Sequence, residues 1–230
     1  MKKHTPQSSP FESHKTDAHN SAARLKMLVG LALVVLSLTS VTGAAEPAEL
    51  PLIFNGADLA GWNVPTPNPF WKVVDGVLVG ENDGKLTGHV LRTEKSYQDF
   101  VLELEVRWSG EIDSGIIFRR PDLQLQFGVS RSLKRDMTGS FYTGGEVKYP
   151  EAGRAKGVEG LVKPGDWNKV RLEAQGSTFT VWLNGKQVTR FVDTSFNQAA
   201  PIGLQIHPGL KMKVEYRNIR AKADKSTTRH

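Results

Sequence analysis

Between Glu111 and Tyr142 the chain reads EIDSGIIFRRPDLQLQFGVSRSLKRDMTGSFY, a stretch dense in side chains that could do chemistry. Within Leu123–Val129 the apolar Leu123, Leu125, Phe127 and Val129 share one face of an extended strand, and Gln124 and Gln126 share the other, because successive side chains point to opposite sides. By the same parity Ile117 and Arg119 oppose Ile116 and Phe118. Amides and a guanidinium beside Asp113 suit a ligand made mostly of hydroxyl groups. An ordinary solvated sheet face shows the same alternation. Glu111 and Asp113 stand two residues apart, which on a strand puts both carboxylates on one side. Two carboxylates about 5–5.5 Å apart suit a retaining glycosidase, and a wider pair suits an inverting one. No third carboxylate follows in register, since Ser114-Gly115 stands there, so the pattern for double displacement is incomplete.

Away from the N-terminal region and His230, two histidines remain, His89 and His207. Gln205 and His207 project from the same face of the segment Ile202–His207, opposite Ile202, Leu204 and Ile206. If both polar faces border one groove, Gln124, Gln126, Gln205, His207 and Arg119 converge there, with His207 as the group able to exchange a proton near neutral pH. Arg131, Lys134, Arg135 and Asp136 crowd the following loop, which runs on to Tyr142. Such a cluster either binds an anionic group or holds the loop through Arg–Asp pairs. Arg131 and Tyr142 are counted with the three glutamines as candidate ligand contacts. The sequence has no phosphate-binding glycine loop, no nucleophile elbow and no metal-binding histidine pair. No cofactor is expected. A divalent metal on Asp113, Glu111 or Asp122 stays open, because oxygen ligands have no fixed spacing outside an EF-hand loop.

Short strands and turns must position these groups. Asp75-Gly76 between Trp71–Val74 and Val77–Val79, and Asn184-Gly185 between Thr178–Leu183 and Lys186–Phe191, are pairs suited to type I′ hairpins. Phe100–Trp108 alternates strictly, and Trp167–Glu173, Ile202–His207 and Met212–Asn218 supply further strands. Thr143–Pro164, rich in glycine and charge, reads as a long loop over the sheet. No convincing helical period follows Leu38, so the expectation is an all-β, two-sheet sandwich. Trp62, Trp71, Trp108, Trp167 and Trp182 are read as packing residues rather than sugar platforms.

The chain ends bound the rest. Met1–Asn20 is polar and aperiodic and reads as disordered. Arg24-Leu-Lys26, the apolar run Met27–Leu38 and the small-residue step Thr42–Ala45 make a signal peptide, so residues 1–45 precede a domain over 46–222 and a polar tail over 223–230. The destination is the periplasm or the medium, with membrane attachment only if the segment stays uncleaved. Of the 30 basic and 24 acidic residues, five and two lie in Met1–Ala45, which leaves 25 against 22. That balance argues against a nucleic-acid partner, which needs a concentrated basic face. There is no cysteine, so neither disulfides nor Cys-ligated zinc hold the fold.

Several segments together resemble a known family. They are LIFNGADLAGW (Leu52–Trp62), WKVVDGVLVG (Trp71–Gly80), Tyr97–Phe100, DSGIIFR (Asp113–Arg119), PGDWNKVRLEAQG (Pro164–Gly176), VWLNGKQV (Val181–Val188), IGLQIH (Ile202–His207) and EYRNI (Glu215–Ile219). The chain from Leu50 to Lys222 is similar in these to the 3-keto-disaccharide hydrolases, exported bacterial proteins. The resemblance implies a concanavalin-like jelly roll that cleaves 3-keto-glycosides by elimination and hydration. It also implies His207 as base or acid and Arg119 as holder of the enolate oxygen. Members often carry Glu-x-Gln where this chain has Gln124-Leu125-Gln126, so either Asp113 substitutes for that carboxylate or the catalysis is altered. A non-catalytic glycan-binding module and a laminin-G-like interaction domain share the fold and stand as alternatives.

Overall fold

The computed structural model describes residues 49–224. The polar N-terminal tract, the signal segment and all but the start of the expected tail lie outside them. Fourteen strands are formed: β1 Trp62–Asn63, β2 Trp71–Val74, β3 Val77–Glu81, β4 His89–Tyr97, β5 Phe100–Trp108, β6 Asp113–Phe118, β7 Leu123–Ser130, β8 Arg135–Asp136, β9 Phe141–Tyr142, β10 Asn168–Gln175, β11 Thr178–Leu183, β12 Lys186–Val192, β13 Ala200–Ile206 and β14 Lys213–Ala223. Among the described residues the helical content is a single 3₁₀ turn, Glu151–Gly153. Among the described residues no helix is long and apolar enough to cross a membrane.

The strands form two antiparallel sheets. One has the order β1-β4-β13-β6-β7-β8, with β9 also on β7, and the other β12-β11-β10-β5-β14-β3-β2. The alternation of β5 is reproduced residue by residue, with every second side chain buried from Phe100 to Trp108. Both expected hairpin turns form with the left-handed pair that a type I′ turn requires: Asp75 and Gly76 at φ 50° and 78°, Asn184 and Gly185 at 48° and 83°.

Aromatic rings join the two inner faces. Trp108 stacks on Phe127 at 6.1 Å, and Phe118 meets Phe100 and Phe179 edge-on at 5.6 and 5.7 Å. Each such pair adds about 0.5–1.5 kcal/mol beyond the area it buries. Tyr216 of β14 reaches Ser114 of β6 across the core. The Ser114 hydroxyl donates to the Gln205 carbonyl at 2.7 Å, so the Tyr216 hydroxyl, 3.3 Å away, is the donor to Ser114. Burial raises the pKa of Tyr216, which stays a neutral donor.

Some sequence expectations are corrected. β4 was not expected, because its inward positions include Thr93 beside Leu91 and Tyr97 and its charged residues blur the alternation. Trp62, Trp71 and Trp108 are core residues, but Trp167 and Trp182 lie on the outer face of the second sheet. There Arg107 and Arg217 lie over the Trp167 ring at 4.5 and 4.2 Å, and Arg171 over Trp182. The closing strand continues to Ala223, because Asn218 at φ 53° absorbs the register shift between Arg217 and Arg220. The loop cluster makes no Arg–Asp pair. Asp136 instead caps Thr138, while Arg131 reaches the Gly209 carbonyl.

Candidate active site

β6 and β7 are buried on both faces, unlike β5. Their inner face meets the core, and their outer face forms the floor of a cavity of about 400 Å³. Register explains what lies on that floor. Gly115 pairs with Gln126 on one side and Gln205 on the other, and Gln124 pairs with Ile117 and Tyr142. Gly115 leaves the space that the amides fill: a Cβ there would come within 2.4 Å of the Leu125 carbonyl oxygen and 2.8 Å of Gln124 Cγ. Of the residues singled out from sequence, Asp113, Gln124, Gln126, Arg131, Tyr142, Gln205 and His207 all line this cavity.

Gln124 and Gln126 are buried, so their amides need partners. Gln126 Nε2 donates to Asp113 Oδ1 at 2.8 Å, Gln124 Nε2 donates to Gln126 Oε1 at 2.8 Å, and Gln124 Nε2 also donates to Gln205 Oε1 at 2.9 Å. The carboxylate decides this order. Ionised Asp113 only accepts, so Gln126 must offer its nitrogen, its oxygen then takes the Gln124 nitrogen, and Gln205 answers with oxygen. Gln205 is left with its own nitrogen free of the relay, and Gln124 with its oxygen. A glutamate at position 124 would set an acceptor against two acceptors, and both neighbours would have to turn their amides.

Asp113 Oδ2 accepts the Arg131 backbone N–H at 2.9 Å and faces His207 Nε2 at 4.0 Å. His207 Nδ1 lies 2.7 Å from the Pro208 carbonyl oxygen, an acceptor, so the neutral ring carries its proton on Nδ1 and presents a lone pair on Nε2. Tyr142 and Tyr149, edge to face at 5.3 Å, also line the cavity, with Ser130, Ser132 and Lys148. Burial pushes the Tyr149 hydroxyl up to about 12, against the hydrogen bond to Ser130 that lowers it, so the hydroxyl remains protonated.

Arg119 is not part of this site. β6 ends at Phe118, and Arg119 at φ 64° leaves the strand's period-two geometry, so parity no longer predicts its direction. Its fully buried guanidinium donates to Asp99 at 2.8 Å and to the Gly176 carbonyl at 3.1 Å. Burial pulls its pKa down and Asp99 opposes that. The role of enolate holder therefore cannot fall to it. Glu111 lies outside β6 and lines a different hollow with Lys211 and Lys213, so it does not pair with Asp113. Asp122 is bound to Arg92 at 3.1 Å. His89 stacks on Phe70 and accepts the Trp71 indole N–H at 2.9 Å. Among the described residues no three His, Cys, Asp or Glu side chains group to hold a metal ion.

A family model described as the 3-keto-alpha-glucoside-1,2-lyase-like domain matches residues 51–222. The chain belongs to that family. Every residue of the cavity lies inside the matched span of this lyase-like domain. No curated protein matches the chain at a significant level. Among solved structures, a candidate glycosyl hydrolase from Parabacteroides distasonis ATCC 8503 is 20% identical, with 77% of this chain and 100% of that one covered at a TM-score of 0.60. A second from the same strain is 20% identical, covering 76% and 94% at 0.56. A structure described under endo-acting O-glycanases of the human gut microbiota that initiate mucin breakdown is 10% identical, covering 76% and 100% at 0.56. These likenesses establish the sandwich fold of the lyase-like domain.

Four lining residues of the domain were missed from sequence: Ser130, Ser132, Lys148 and Tyr149. The last two follow a hairpin tip closed by Thr143 N–H to the Lys148 carbonyl at 2.9 Å and Thr143 Oγ1 to the Val147 carbonyl at 3.0 Å. The Gly144-Gly145 pair between two tyrosines was the available signal, lost in a segment read as one long loop.

Proposed function

We propose that this protein cleaves 3-keto-glycosides by elimination across C1–C2 followed by hydration. The observation that carries the proposal is His207, whose Nε2 lone pair is left available by the Nδ1 contact to Pro208 in a cavity it lines with the glutamines, with Asp113 as the cavity's carboxylate. A ketone at C3 acidifies the C2 proton. His207 Nε2 takes that proton, and the C–H electron pair forms the C2=C3 double bond of an enolate with its charge on the C3 oxygen. The enolate re-forms the C3 ketone, its pair makes C1=C2, and the C1–O bond breaks with its electrons leaving on the aglycone oxygen, which is then protonated. Water adds at C1 and a proton returns to C2, so the sum is hydrolysis. Asp113 steadies the imidazolium formed in the first step, while the Gln205 nitrogen and Gln124 oxygen are placed for sugar hydroxyls. Double displacement by two carboxylates has less support, since Glu111 lies on another hollow.

The proposal includes export, with cleavage near Ala44 or Ala45. The N-terminal sequence of protein recovered from periplasm or medium decides this. A chain still beginning before Arg24 points to an uncleaved membrane anchor.

The test of chemistry compares a 3-keto-glycoside with its parent glycoside, with and without a chelator. Consumption of the keto form alone is expected. His207→Gln lowers its turnover about 10²–10⁴-fold. Equal turnover of the plain glycoside overturns the elimination route. Binding without turnover of either form makes the domain a glycan-binding module. Loss of turnover to the chelator adds a metal to the site.

A further inference from the structure

We infer that Lys148 is the cation that takes the enolate oxygen on sugar C3. The inference rests on the 3-keto elimination reading and fills the role that Arg119, buried on Asp99, cannot hold.

The cations lining the cavity are Lys148 and Arg131. Arg131 is committed to architecture: its backbone N–H goes to Asp113 Oδ2, and its Nη1 donates to the Gly209 carbonyl at 3.1 Å. It thereby fastens the turn after β7 to the turn that follows His207. The Lys148 side chain makes no hydrogen bond or ion pair with any described residue. Its backbone is nevertheless fixed, because Lys148 closes the hairpin tip through its carbonyl. Lys148 is exposed at the cavity's edge, and with no counter-charge among the described residues its ammonium can swing to an anion brought or formed by the ligand.

The surrounding groups do not neutralise it. Asp113 already accepts from Gln126 on one oxygen and from Arg131 on the other. Tyr149 keeps its proton, and Tyr142 and Tyr149 line the same cavity. The neutral glutamines offer no full charge. Once a proton passes from C2 to His207, the site holds a new anion, the enolate, and Lys148 is the uncommitted cation to meet it. Lysine suits a charge that appears during reaction, being a compact point charge on a flexible stem. Such a partner acts on the transition state rather than on the bound sugar.

The experiment separates enolate formation from departure of the aglycone. A 1-deoxy-3-keto sugar has no leaving group at C1, so loss of its C2–H signal in deuterated water reports enolisation alone. Wild type, Lys148→Met and Lys148→Arg are compared in this exchange and in turnover of a 3-keto-glycoside. The Met variant is expected to lose about 10²–10³-fold in both rates. Its KM and melting temperature stay at the wild-type values, and the Arg variant keeps part of the activity. Exchange by Lys148→Met at the wild-type rate overturns the assignment and leaves the elimination reading standing. So does a rise in KM confined to sugars carrying a carboxylate, which would make Lys148 a ground-state contact for uronates. Wild-type protein that neither exchanges C2–H nor consumes any 3-keto-glycoside overturns the elimination reading, and this assignment with it.

Discussion

Replacing Arg119 with Met tests whether that residue serves the fold or the chemistry. Arg119 and Asp99 are both essentially inaccessible, 2.8 Å apart, and Asp99 also accepts the Gly176 backbone N–H at 3.0 Å. Removing one member of such a buried pair costs about 3–5 kcal/mol. Arg119 Nε and Nη1 are themselves buried without a hydrogen-bond partner, which already lowers the net value of the pair and places the loss near the bottom of that range. For a domain of 150–250 residues, about 3 kcal/mol corresponds to a fall in Tm of about 6–12 °C. Thermal unfolding followed by circular dichroism reads it directly. Adding Asp99→Asn, which keeps an acceptor for Gly176 and removes the carboxylate charge, should recover part of the loss. Turnover of a 3-keto-glycoside well below the melting range should change little. An unaltered Tm together with a turnover reduced a hundredfold or more would refute the structural role and return Arg119 to the reaction.

Asp113→Asn removes both the anchor of the amide relay and the partner of the His207 imidazolium. At 4.0 Å and an effective dielectric near 20 that pair is worth about 4 kcal/mol. Solvent access to His207 reduces this to about 2 kcal/mol, or about 30-fold in turnover, and unchanged steady-state kinetics would contradict it. Gly115→Ala drives a Cβ into the Leu125 carbonyl and Gln124, so it should destabilise the domain by about 1–3 kcal/mol and raise KM. A melting curve and KM identical to wild type would show that the floor does not need the gap. Burial raises the pKa of Tyr97, Tyr149 and Tyr216, with Tyr149 pushed up to about 12, so the native state holds protons that the unfolded chain releases near pH 10. This contribution to stability is complete below about pH 10 and is lost as pH rises toward about 12. Phenolate absorbance should therefore lag and rise with unfolding; four tyrosines ionising together near pH 10 in an intact fold would disprove it.

Period-two alternation made much of the site legible. It holds wherever a strand is regular, so Gln124, Gln126 and Gln205 could be assigned to one side of a sheet from their neighbours alone, and His207 with them. It failed at Arg119, where the backbone turns left-handed one residue after β6 ends. Nothing in the residue type announces that. Lys148 and Tyr149 escaped for another reason: their place depends on a hairpin tip folding over strands distant in sequence, and local pattern does not report non-local closure. Trp167 and Trp182 were misplaced because a large aromatic ring can be covered by arginine stems on a solvated face as well as by a core. β4 went unseen because its inward face mixes Thr93 with apolar residues. Two hairpins were recognised because Asp-Gly and Asn-Gly carry their backbone geometry in their composition.

The glutamine relay has a consequence for how this cavity can diversify. Gln126, Gln124 and Gln205 are the same residue, yet each speaks to the next with an assigned end, and the assignment starts at Asp113. The face that Gln205 turns to the cavity is thus inherited from a carboxylate three side chains away. A change at the root of that lineage would turn donors into acceptors down the row while leaving every glutamine in place. Two relatives with identical amides could then prefer opposite faces of the same ring. If the cavity is the active site, substrate preference follows sequence order along a hydrogen-bonded file, and replacing any member singly perturbs the ones downstream.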